Sequence, residues 1–181
     1  MKLDKVHKKK LDMAINMAKS AFNLGNYPVG AVLTINNIMV GKGENKIKEK
    51  KSFLNHAEMR LISESPEKMF KAKSKDPSNK IRLYTTLEPC IQCLGASVTN
   101  QVDEIYFIVK DPNGGATGMR RKGLGLAYQN KWPKIFQIDY SEIPLKLMLK
   151  FFKNEIKKGN TKWPSKMLKL YESGNHRSKN P

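Results

Sequence analysis

Two short segments hold the residue types that could do hydrolytic chemistry. "FLNHAEMR", Phe53 to Arg60, sets an imidazole and a carboxylate, His56 and Glu58, one residue apart where an apolar helical pattern begins. "TLEPCIQCLG" carries the only two cysteines of the chain, Cys90 and Cys93. Zinc takes imidazole nitrogen and thiolate sulfur in tetrahedral geometry, and a catalytic zinc keeps three protein ligands with a fourth position for water. His56, Cys90 and Cys93 supply such a set. Glu58 is not needed as a ligand and is free to move protons between water and substrate. Pro89 suits a helix entry, because its missing N–H would have had no partner there. A C-x-x-C pair at that entry meets exposed N–H groups and the positive end of the helix dipole, which lower thiol pKa.

Taken singly, each feature has a plainer reading. A lone histidine is usually satisfied in the core or on the surface, which is the reading for His7 and His176. A C-x-x-C beside a βα unit can be a redox pair, and Glu58 alone would be a solvated helix charge. Jointly, H-x-E followed by P-C-x-x-C is the pattern of zinc deaminases that act on nucleobases.

The flanking elements must bring His56 to the cysteines. Leu3 to Leu24 has apolar residues at helical spacing, with Gly25 as a stop. "VGAVLTI" and "IMVGKGEN" flank Asn36-Asn37, a two-residue hairpin turn. A helix is predicted from about Asn55 to Glu64. "SPEKMFKAKSKDPSNK" is polar, broken by Pro66 and Pro77, and reads as partly loop. "IRLYTTL" is a strand ended by Glu88-Pro89, Cys90 to Thr99 a short helix, and "EIYFIV" a buried strand. "KDPNGGATG" is a glycine-rich loop and "KIFQI" a further short strand. "SEIPLKLMLKFFKNEIKK" is amphipathic, with Ser141 a candidate cap. This alternation predicts a three-layer α/β/α domain over residues 1–159, with a mixed central sheet of about five strands. Residues 160–181 read as a basic extension whose end, "SGNHRSKNP", is expected to be disordered.

At 181 residues the chain suits one domain with a tail. No apolar run approaches a membrane span, and the basic N-terminus lacks the apolar stretch of a signal peptide. Two cysteines this close argue for a reducing, cytoplasmic setting rather than a disulfide framework. Lys and Arg number 34 against 16 Asp and Glu, a formal net charge of +18. Solubility alone could account for that, but the excess is concentrated from Lys146 onward, which favours a polyanionic partner such as nucleic acid.

On these motifs the chain resembles the cytidine deaminase-like superfamily, and within it the bacterial tRNA-specific adenosine deaminases, over roughly Leu11 to Lys158. "YPVGAV" resembles the first strand that lines the base pocket, which brings in Val29. Asn45 matches a pocket asparagine that hydrogen-bonds the purine, and "HAE" and "TLEPCxxC" match the metal site. "KDPNGGATG" resembles a loop set against nucleic acid, and "FFKNEIKK" the start of a last helix near the anticodon loop. The resemblance implies zinc-dependent conversion of adenosine to inosine in RNA, most simply at the tRNA wobble position, by a homodimer. It implies His56, Cys90 and Cys93 as ligands and Glu58 as the proton carrier. Val29, Asn45 and main-chain groups near Ala57 and Pro89 would orient the base, and Asp111 could meet a ribose 2′-OH or simply cap a turn. Phe151, Phe152 and Lys153 are RNA-contact candidates, with core packing the competing role for the two rings. The sequence departs from the family at Asn55, Gln92 and "PNGG". A deaminase of a free nucleobase, nucleoside or nucleotide (cytosine, dCMP or guanine) is the main alternative. A nucleic-acid-binding protein with a structural zinc, or a redox protein, is the other.

Overall fold

Asp4 caps the first helix, its carboxylate accepting the His7 N–H at 2.8 Å, and α1 (Lys5–Asn23) then buries Leu11, Ala14, Ile15, Ala18 and Ala21 along one side. The computed structural model of the protein describes residues 3–173. The expected disorder of the tail falls on residues 174–181 and lies outside the described residues, as does His176. After α1 come β1 (Gly30–Ile35), β2 (Ile38–Glu44), the short α2 (Ile47–Lys50), α3 (Ala57–Glu64), α4 (Pro66–Lys75) and β3 (Ile81–Leu87). The rest is α5 (Ile91–Thr99), β4 (Glu104–Val109), α6 (Leu126–Asn130), β5 (Lys134–Gln137), α7 (Ile143–Lys157) and α8 (Lys162–Glu172).

The five strands form one mixed sheet in the order β2-β1-β3-β4-β5, with β1 antiparallel to β2 and β3, and β3, β4 and β5 mutually parallel. The turn between β1 and β2 is made by Asn36 and Asn37 at φ 48° and 68°, the positive values a primed hairpin turn needs.

Strand alternation decides which helices lie on which face. A Cβ on Gly30 would run into the backbone of α1 at Ala14 and Ala18, so this face of β1 lies directly on α1. Tyr84 of β3 reaches the same layer, its hydroxyl 2.9 Å from His7 Nδ1, and stacks on Tyr106 of β4. The opposite face carries Ala31 and Leu33, registered with Thr85 and Leu83, and is covered by α3. α5 packs against α3, and α7 against α1 and β4. The result is the three-layer α/β/α arrangement read from the sequence.

The segment from Ser65 to Lys80 is looped only in part, as expected: the loop is residues 76–80, around Pro77. Pro66 opens α4 instead of breaking it, since the first helical position needs no N–H, and Met69 is buried beneath it. Ser141 stands one residue before the cap position, which Glu142 holds, though its hydroxyl accepts the Ile143 N–H at 3.2 Å. Gly159, at φ 89°, ends α7, and the chain then folds back as α8, which buries Met167 and Tyr171 in the same core. Among the described residues no helix is long and apolar enough to cross a membrane.

Candidate active site

His56 and Cys90 occupy equivalent positions: each is the residue immediately before a helix, His56 at α3 and Cys90 at α5. The two helix starts converge, so free N–H groups and positive dipole ends point at one spot from two directions. Cys93 lies one turn into α5 on the buried side.

The three donors meet. His56 Nδ1 is 3.6 Å from Cys90 Sγ and 3.5 Å from Cys93 Sγ, and the sulfurs are 3.7 Å apart. A tetrahedral zinc with ordinary bond lengths requires about 3.6 Å between a nitrogen and a sulfur ligand and about 3.8 Å between two sulfurs. The donor set therefore fits that metal by type, number and spacing, and among the described residues this is the one such group of three or more. Hydrogen bonding from Cys93, helped by His56, brings the Cys90 thiol down to about 4 against the effect of burial. Cys90 and burial together push Cys93 up, so the cluster does not carry two negative sulfurs unaided. A dication removes that conflict.

Glu58, on the first turn of α3, is 3% exposed. Its Oε1 accepts the Thr85 hydroxyl at 2.7 Å and its Oε2 lies 3.5 Å from Cys93 Sγ. Burial raises its pKa, with the Thr85 bond opposing. A carboxylate so held is aimed at the donors and kept from water.

The second support is a latch built on Glu88. Glu88, a strand end that lies inside the "TLEPCxxC" match, is buried, and its carboxylate accepts the N–H groups of Asp111 and Thr117, each at 3.0 Å, and the Thr117 hydroxyl. The Ala116 N–H donates to the Pro89 carbonyl at 3.0 Å, and Cys90 forms a bridge with Gly115. A Cβ on Gly115 would collide with the Glu88 carboxylate, so glycine is required there. The glycine-rich loop is thus bound to the residues that lead into Cys90. Thr85 could be found only once the face of β3 is known, and the role of Glu88 only once the loop from Asp111 to Thr117 is seen against it.

Other predicted residues distribute as follows. Asn45 is buried; its N–H donates to the Val29 carbonyl and its Oδ1 accepts the Ile47 N–H. The Lys46 N–H donates to the Asn55 carbonyl at 2.9 Å, which holds Asn45 and His56 one residue to either side of a backbone bond. Ala57 is fully buried at the start of α3. Asp111 accepts the Asn113 N–H at 2.9 Å, the turn-capping role, and Tyr171 of α8 lies against its carboxylate; burial first, then Asp111, raises that phenol. The rings of Phe151 and Phe152 are 3% and 2% exposed and are taken up by packing with Tyr27, Trp163 and Tyr171. Neither ring is presented to RNA, because the apolar stripe of α7 faces inward. Lys153 is exposed, 3.8 Å from Glu172.

The profile described as "Cytidine and deoxycytidylate deaminase zinc-binding region" matches residues 4–109. The chain belongs to this family. The match spans α1 to β4 and so includes both segments that converge at the site. Among curated relatives, the "tRNA-specific adenosine deaminase" of Bacillus subtilis is 38% identical over 58% of this chain and 63% of its own length. The "tRNA-specific adenosine deaminase 2" of Xenopus laevis is 36% identical over 58% of this chain and 61% of its own. The chain thus spans about three fifths of the length of the curated relatives it matches. Two solved structures share the fold. One comes from work on A-to-I editing by tRNA:A34 deaminases (TM-score 0.57, 24% identity, 72% of this chain and 97% of that one). The other is the guanine deaminase of Nitrosomonas europaea (TM-score 0.64, 14% identity, 80% and 83%).

Proposed function

We propose that this protein is a zinc-dependent hydrolase that converts adenosine to inosine in RNA, with a tRNA wobble adenosine as the substrate, and that His56, Cys90 and Cys93 are its metal ligands. The observation that carries the reading is the buried Glu58 carboxylate, held by Thr85 and turned toward three donors spaced as the corners of one zinc tetrahedron. When bound, zinc supplies the Lewis acidity that makes water a nucleophile at neutral pH.

The remaining chemistry belongs to the chain. Glu58 takes one proton from the attacking water and delivers it to the ring nitrogen, then takes the second from the new C6 hydroxyl and delivers it to the departing amine, so that adenosine and water give inosine and ammonia. Thr85 restricts the carboxylate to one orientation. Asn45, with Oδ1 committed to Ile47, offers its amide nitrogen to the purine, and Val29, Ala57 and Pro89 form the walls near it. A paired adenine cannot reach a buried site, so the target base must be splayed out of a loop. The charge of +18, with exposed lysines such as Lys153 on α7 and Lys166 on α8, suits a phosphate backbone. The names of the curated relatives support tRNA as that partner. A homodimer in the cytoplasm belongs to the same proposal: the family resemblance supports the assembly, and two free cysteines suit a reducing compartment.

The test is to incubate zinc-loaded protein with an anticodon stem-loop, free adenosine, free cytidine and free guanine, and measure ammonia and inosine. Inosine in the stem-loop is expected. An unconverted stem-loop beside a deaminated free base would overturn the RNA reading.

A further inference from the structure

The turn that leads into His56 carries a feature that packing and metal binding leave unexplained. Asn55 N–H donates to the Ser52 carbonyl at 3.1 Å, closing a turn with Phe53 and Leu54 at its two corners. Such corners ordinarily hold Gly, Asn, Asp or Ser. Here they hold two large apolar side chains, 82% and 67% exposed. The turn is firmly held: Ser52 N–H donates to the Ile47 carbonyl at 3.2 Å, Leu54 N–H to the Ser52 hydroxyl at 3.3 Å, and Lys46 N–H to the Asn55 carbonyl. Phe53 lies three residues from His56, so their backbones are at most about 11 Å apart. Lys50 and Lys51, both exposed, immediately precede it.

We propose that Phe53 and Leu54 form a stacking platform for the nucleobase next to the target base, so that this turn selects single-stranded RNA over a free base or nucleoside. The proposal rests on the RNA reading above. Aromatic side chains set among cations are how proteins hold unpaired strands, since every base offers a π-face and every linkage a negative charge. The lysines beside the turn argue against the same face of a second copy as the occupant, because a two-fold contact here would set Lys50 and Lys51 against their own counterparts.

The test uses the full zinc-loaded chain and a stem-loop RNA with one loop adenosine, together with versions in which either neighbour of that adenosine is abasic. Phe53→Ala should weaken binding of the intact RNA by about 5- to 150-fold, the usual range for a lost base stack. Phe53→Trp should restore it. One abasic RNA should lose a similar factor against the unaltered protein and lose nothing further against Phe53→Ala. An equal loss against intact and abasic RNA, or no loss at all, would overturn the platform. So would a Phe53→Ala/Leu54→Ala protein that runs as a monomer where the unaltered chain runs as a dimer. If the unaltered protein ignores the stem-loop while deaminating a free base, the RNA reading itself falls. If it converts the stem-loop and Phe53→Ala is indifferent, only the platform does.

Discussion

The helix starts at α3 and α5 and the helical pair α7 and α8 use the same chain in opposite ways. At the first, polar groups point inward: His56, Cys90, Cys93 and Glu58 gather within a few ångströms, and Thr85 and Glu88 brace them from the sheet side. At the second, aromatic rings turn inward and charge turns out, with Tyr27, Phe151, Phe152, Trp163 and Tyr171 in mutual contact under a surface of lysines. An ion pair of 2.8 Å from Lys48 of α2 to the buried Glu155 of α7 ties the segment that follows Asn45 to the second region. The contrast separates chemistry, which depends on individual atoms, from scaffold and surface, which depend on packing area and net charge.

Substitutions should divide along that line. The largest effect is expected at the donors: His56→Ala or Cys90→Ser should abolish both zinc retention and turnover, measured by metal analysis and inosine release, because two remaining ligands do not hold a catalytic zinc. Next, Glu58→Gln should keep zinc and fold but lower kcat by about 100- to 10,000-fold, the ordinary worth of a positioned proton carrier. Phe152→Ala reverses the pattern. It should cost about 3–5 kcal/mol in denaturant unfolding, while protein that remains folded keeps its zinc.

Smaller effects should sharpen the contrast. Thr85→Val removes the hydroxyl that holds Glu58 and should lower kcat by about 10- to 100-fold, the equivalent of ~1.5–3 kcal/mol for a hydrogen bond to a charged group, with zinc content unchanged. Lys166→Ala should leave stability alone and reduce the slope of log affinity for RNA against log salt by about 0.7 if that lysine meets one phosphate. A zinc loss in Phe152→Ala, or a stability loss in Lys166→Ala, would mean the two regions are not separable.

The metal cradle was legible in the sequence because zinc chemistry restricts residue type, and few other residues could have replaced His56, Cys90 or Cys93. The Asn36-Asn37 turn was legible for a similar reason, since it requires positive φ at both positions. Thr85 was not, and Glu88 lay inside the "TLEPCxxC" match without the role that the loop gives it. A polar residue on a strand means different things on its two faces, and only the register against β1 and β4 shows that Thr85 faces α3. Phe151 and Phe152 sit on an amphipathic helix whose periodicity gives a stripe but not what the stripe meets. α6, and the packing of α8 beyond Gly159, carried no motif, and their placement depends on tertiary contacts.

The central claim is that one imidazole and two thiolates share a single zinc beside Glu58. X-ray absorption at the zinc edge, on purified protein with metal content measured in parallel, tests it most directly. The account predicts one zinc per chain, two sulfur neighbours near 2.3 Å and one histidine nitrogen near 2.0 Å, and loss of the zinc signal itself in Cys93→Ser. A fully active protein without zinc, or a zinc with no sulfur neighbours, would contradict it.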